Sequence, residues 1–110
     1  DAVEGLMPLI AEAPDDLMLV VMTSWTAVYL SGRQRRDLER TMARARRPIA
    51  WVSAEFPDIV RGIDEPHPST ATESDISKIG IVWFPGDDTP ERREFVGWSH
   101  NHGNWLDWPR

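Results

Sequence analysis

The chain has 110 residues, no cysteine and a net charge of −6, with 41% hydrophobic and 27% charged residues. A chain of this size makes one small domain that buries about two-thirds of its unfolded surface, and its ordinary composition excludes wholesale disorder. Disulfides and thiolate chemistry are excluded, in keeping with a cytoplasmic protein. The longest apolar run, Leu17 to Met22, is too short to span a bilayer, and the acidic balance argues against nucleic acid as a partner.

In chain order, Val3, Leu6 and Ile10 fall at helical spacing and predict a short helix over residues 1–13, weakened by Gly5 and Pro8. Pro14-Asp15-Asp16 breaks it. The unbroken apolar run Leu17 to Met22 then predicts a strand covered on both faces, as in parallel sheets. Ser24 to Leu30 reads as a short linking turn or helix. Ser31 with Gln34 forms a capping box, and Leu38, Met42 and Ala45 mark the buried stripe of a second helix that Pro48 ends.

Ile49 to Ser53 is a second buried strand, so the segment from Leu17 reads strand, helix, strand: two parallel strands joined by a right-handed crossover. Residues 55–75, with Pro57, Pro66 and Pro68, read as a long loop, with or without a helical turn. Ile76 to Phe84 and Glu94 to His100 flank the polar turn Pro85-Gly86-Asp87-Asp88 and predict a terminal antiparallel hairpin. The fold class is therefore α/β, a parallel strand-helix-strand unit followed by a C-terminal hairpin.

Three places carry chemistry. Seven arginines lie between Arg33 and Arg47 against only Asp37 and Glu39, a basic stretch within an acidic chain. It reads as the solvated face of a helix or, in a small binding module, as a dock for phosphate or carboxylate. Thr23, Ser24 and Trp25 follow the first strand, where open α/β sheets bind ligands. They are pocket candidates, unless the hydroxyls cap a helix and the indole packs in the core. No Gly-x-Ser-x-Gly surrounds Ser24, which argues against a hydrolase nucleophile.

The third place is the ending His100-Asn101-His102-Gly103-Asn104-Trp105-Leu106-Asp107-Trp108. If the strand continues through it, His100 and His102 lie on one face of a sheet. The pair then hydrogen-bonds loop backbone and fixes the last strand, or contacts a substrate. With a third ligand from Asp107, Asp87 or His67 it would instead form a zinc or iron site. Trp98, Trp105 and Trp108 together suggest an apolar patch at this edge.

Leu19-Val20-Val21 leading into Thr23-Ser24-Trp25, then Val28-Tyr29-Leu30 and Arg36, Trp51-Val52-Ser53, and the His-x-His-Gly-x-Trp ending at His100 resemble the C-terminal portion of a bacterial, mostly actinobacterial, family, domain of unknown function 2332. The resemblance covers nearly the whole chain. It implies a protein of several hundred residues with a distant likeness to Rossmann-type class I methyltransferases, residues 1–110 being the C-terminal half of that larger domain. Met22-Thr23 stands where family members often carry a histidine, and no Gly-x-Gly-x-x-Gly occurs anywhere in the chain. The expectation is a methyltransferase-like half-domain with no cofactor of its own and inactive alone. S-adenosylmethionine is possible only in a complete longer protein. Completion would come from a missing N-terminal region or from self-association.

Overall fold

The apolar spacing at the start of the chain produces helix α1, Ala2–Glu12, which buries Val3 and Ile10 and accommodates Pro8. This computed structural model of the protein describes residues 2–63 and 76–108. Strand β1, Leu19–Ser24, leads through a 3-10 turn, Ala27–Tyr29, into helix α2, Gly32–Ala43. The capping box forms as the sequence predicts: Ser31 Oγ accepts from the Gln34 N–H at 3.2 Å, and Gln34 Oε1 accepts from the Ser31 N–H at 2.9 Å. Leu38 and Met42 are the buried stripe of α2.

Strand β2, Ile49–Glu55, pairs in parallel with β1 from Leu19↔Ile49 to Ser24↔Ala54, so the strand-helix-strand unit is present. Strands β3, Ile76–Phe84, and β4, Arg92–His100, form the antiparallel hairpin, with a register shift at Ile79/Gly80. β3 also pairs antiparallel with β2, and a short β5, Leu106–Asp107, adds to β4. The result is a mixed α/β fold with one five-stranded sheet in the order β1-β2-β3-β4-β5.

Strand alternation and this register put Ile49, Trp51, Val82 and Phe84 on one side of the sheet. They form the core with Val3 and Ile10 of α1 and Leu38 and Met42 of α2, so both helices cover that side. The opposite side carries no helix among the described residues. This corrects the expectation of a β1 buried on both faces. Leu19 and Val21 pack on the core, but Val20 is 54% and Met22 is 72% exposed. The unbroken apolar run had implied two covers, and this structure supplies one. Leu17 and Met18 are exposed as well.

The His-x-His segment also departs from the strand expected of it. β4 ends at His100, and the chain reverses through residues 101–104 with Gly103 at φ 76°. The Gly103 N–H donates to His100 O at 2.9 Å, and the His100 N–H donates to Trp105 O at 3.0 Å. Glycine suits this left-handed position because a side chain there would strain the backbone. The expected patch of three tryptophans breaks up in the same way: Trp98 is buried against Phe95, Trp105 is half-buried, and the exposed apolar residues here are Leu106 and Trp108.

Candidate functional site

The carboxyl ends of β1 and β2 are organised by Glu55, which the composition of the chain places at the edge of a loop. It is 1% exposed, and its Oε1 accepts from the N–H groups of Thr26 and Ala27 at 3.1 and 3.0 Å. A carboxylate at the first turn of a helix satisfies donors that have no partner within the helix. Glu55 therefore does the capping that Thr23 and Ser24 had been candidates for. Its Oε2 is buried without a hydrogen-bond partner. Period-two alternation from Trp51 through Ser53 was the available signal, since it puts Glu55 on the core side.

The three strand-end candidates separate. Thr23 is buried on the helix side, where its Oγ1 accepts from Trp51 Nε1 at 3.0 Å. Ser24 is exposed, with its carbonyl accepting from Thr26 Oγ1. Trp25 leaves the strand at φ 50°, a backbone region costly for a bulky residue. Its indole packs edge-on to Phe56 with centroids 6.2 Å apart, and its Nε1 donates to Ser77 Oγ at 2.6 Å. Ser77 Oγ in turn donates to Asn101 Oδ1 at 3.2 Å. A two-bond relay thus joins Trp25 to the residue between the two histidines.

The histidines face each other across that turn, with ring centroids 5.7 Å apart. His100 Nδ1 accepts from the His102 N–H at 3.1 Å, and the His100 ring lies edge-on to Trp105. The His100 imidazole therefore bonds backbone within the turn ahead of β5, with the His102 ring beside it. Among the described residues no group of three or more His, Cys, Asp or Glu gathers to hold a metal, so Asp87 and Asp107 do not join the pair, and His67 lies outside the described residues.

The basic stretch is not one uniform solvated face. Arg47, whose side chain is 12% exposed, donates to the carbonyls of Ile10, Ala13, Pro14 and Leu17 at 3.3, 2.8, 2.7 and 2.9 Å. It ties the end of α1 to the start of β1. Arg35 Nε donates to the carbonyls of Ala27 and Leu30, both at 3.1 Å. On the outward side of α2, a cleft of about 510 Å³ opens between the helix and residues 59–62, with Phe84 and Arg93 in its lining.

Arg93 holds that cleft together. It donates to Arg61 O and Glu39 Oε2, both at 2.7 Å, and to Glu91 Oε2 at 2.8 Å. Burial pulls its pKa down, but the hydrogen bonds and charges of Glu39 and Glu91 outweigh that, and the net shift is upward. Neither Arg61 nor Arg93 falls in the basic run of the sequence. Only the fold brings them beside α2.

No curated protein matches the chain, and no solved structure matches it. No helix among the described residues is long and apolar enough to cross a membrane. A match to the bacterial family described as "Uncharacterized protein conserved in bacteria (DUF2332)" spans residues 1–108, and the chain belongs to that family.

Proposed function

We propose that this chain is one part of a larger, methyltransferase-like α/β domain, that it performs no chemistry alone, and that further polypeptide completes its sheet. The observation that carries this reading is the bare apolar face at β1, where Val20 and Met22 stand exposed beside the exposed Leu17 and Met18. Among the described residues β1 is an outer strand of the sheet and is bonded only to the parallel β2. Parallel strands are joined through crossovers whose helices lie on the sheet. One added strand-helix unit would therefore pair with the β1 edge and cover the bare face at once. An uncovered apolar face beside a free strand edge otherwise invites association.

The described residues do not offer a cradle for S-adenosylmethionine. The chain has no Gly-x-Gly-x-x-Gly, the Glu55 carboxylate is turned onto the Thr26 and Ala27 N–H groups, and the Thr23 hydroxyl is taken by Trp51. Any cofactor chemistry belongs to the completing segment.

Two measurements test the reading. The purified chain is expected to bind a hydrophobic dye and to sediment above its monomer mass, and a monomer that binds no dye at high concentration would overturn the proposal. An immunoblot of source cells is expected to show a native protein several times heavier than 12.6 kDa. A band at 12.6 kDa would refute completion within one polypeptide.

A further inference from the structure

We infer that the cleft beside α2 binds a small organic phosphate, with the phosphate held by Arg36 and Arg61 and an apolar body lying toward Ile59 and Phe84. Among the described residues the cleft is lined by Arg35, Arg36, Arg40, Arg61 and Arg93 against Glu39 and Glu91, five positive charges and two negative, a net of +3 from these residues in a chain of net −6. Its volume of about 510 Å³ suits a small molecule.

The arginines differ in how far they are already engaged. Arg93 is committed to Glu39, Glu91 and the Arg61 carbonyl. Arg40 pairs with Asp37 at 3.5 Å, and Arg35 is committed through Nε to two carbonyls. Arg36 and Arg61 are both exposed, and neither guanidinium makes a hydrogen bond or ion pair among the described residues, the Arg61 carbonyl alone accepting from Arg93. Two guanidinium groups are thus available in a cleft whose carboxylates are already held by a third.

The placement of Arg36 favours an anion further. Its Nη1 lies 3.5 Å from where a Cβ on Gly32 would stand, so the guanidinium folds back over the first turn of α2. The positive end of the α2 dipole lies there as well, adding to the local potential. On the other wall, Gly62 at φ 73° lets Arg93 pass; a Cβ there would sit 3.1 Å from Arg93 Cδ. That passage lets Arg93 reach both the Arg61 carbonyl and Glu39, setting the Arg61 backbone facing α2. Guanidinium forks suit phosphate oxygens, and Phe84 and Ile59 add apolar lining beside them.

The test uses phenyl phosphate and inorganic phosphate as probes, titrated at low ionic strength and followed by calorimetry and by amide shifts. Phenyl phosphate is expected to bind saturably and more tightly than inorganic phosphate. Arg36→Ala and Arg61→Ala are each expected to weaken binding about tenfold, while Arg46→Ala, in the same basic run but paired with Asp88 outside the cleft, leaves it unchanged. Binding should weaken steeply with added salt. No saturable binding, or an equal loss in Arg46→Ala, would overturn the site. Equal affinity for the two probes would overturn the apolar part of the ligand. Because neither the Arg36 nor the Arg61 guanidinium bonds another described residue, and alanine keeps the Arg61 carbonyl that Arg93 uses, unchanged circular dichroism in both variants is expected, and a loss of fold in either would contradict the assignment.

Discussion

Glu55 shows how one side chain sets local structure. Its carboxylate stands in for the hydroxyl cap that the 3-10 turn lacks, since Thr26 makes no side-chain cap bond. Replacing it with Ala leaves two backbone donors without an acceptor and should cost about 2 kcal/mol. Glu55→Gln keeps an acceptor at Oε1 and should cost roughly half that. Chemical denaturation of the two variants checks this, and equal losses would contradict the capping role. Asp87 is a second case. The Thr89 side chain and then its N–H donate to the Asp87 carboxylate and hold its pKa below the ordinary aspartate value. A depressed carboxylate contributes stability above its unfolded value that is lost as pH falls through the folded one. Thr89→Ala should return Asp87 toward the ordinary range, as read by carboxyl NMR titration, with little change in stability at neutral pH because the group is exposed.

At the scale of elements, Arg47 matters most. Its four carbonyl contacts gather the end of α1, the Pro14 turn and Leu17, just before β1. Few side chains donate in so many directions, and lysine lacks the planar fork. Arg47→Ala should cost about 3 kcal/mol and Arg47→Lys roughly half as much, measured by thermal unfolding. Gly86 supports the same corner. At φ 81° it passes so close to the Arg47 backbone that an added Cβ would sit 2.4 Å from the Arg47 carbonyl carbon. The sequence predicts an arginine-rich helix running to Pro48, and its spacing places Leu38 and Met42 inward; the structure corrects the end, since α2 stops at Ala43 and Arg46 turns the chain at φ 53°. The sequence does not show that Arg35 and Arg47 are anchors while Arg36 stays available, because the acceptors are backbone carbonyls of other elements.

For the whole molecule, the decisive asymmetry is a sheet with two helices on one side and apolar side chains on the other. Substituting Val20→Lys together with Met22→Lys should abolish dye binding and self-association. It should change unfolding stability by no more than about 0.5 kcal/mol, since neither side chain is buried in this chain. A large loss of stability on equilibrium unfolding would show that the face already packs within the monomer.

Much of the plan is legible in the sequence by itself. Local periodicity, proline breaks and the capping box determine both helices, the four longer strands, and the strand-helix-strand unit with its hairpin, because each depends on neighbours within a few residues. The family is legible too, through the motif ending in His100-x-His102-Gly103. Tertiary structure alone decided three things. It left β1 covered on one face, because hydrophobicity records that a side chain needs cover and not what supplies it. It made the histidine segment a turn, because Gly103 adopts a positive φ once Trp105 and Leu106 pair back to β4. It also brought Arg61 and Arg93 to Arg36 from distant parts of the chain, a juxtaposition fixed by strand register and loop closure that no local pattern encodes.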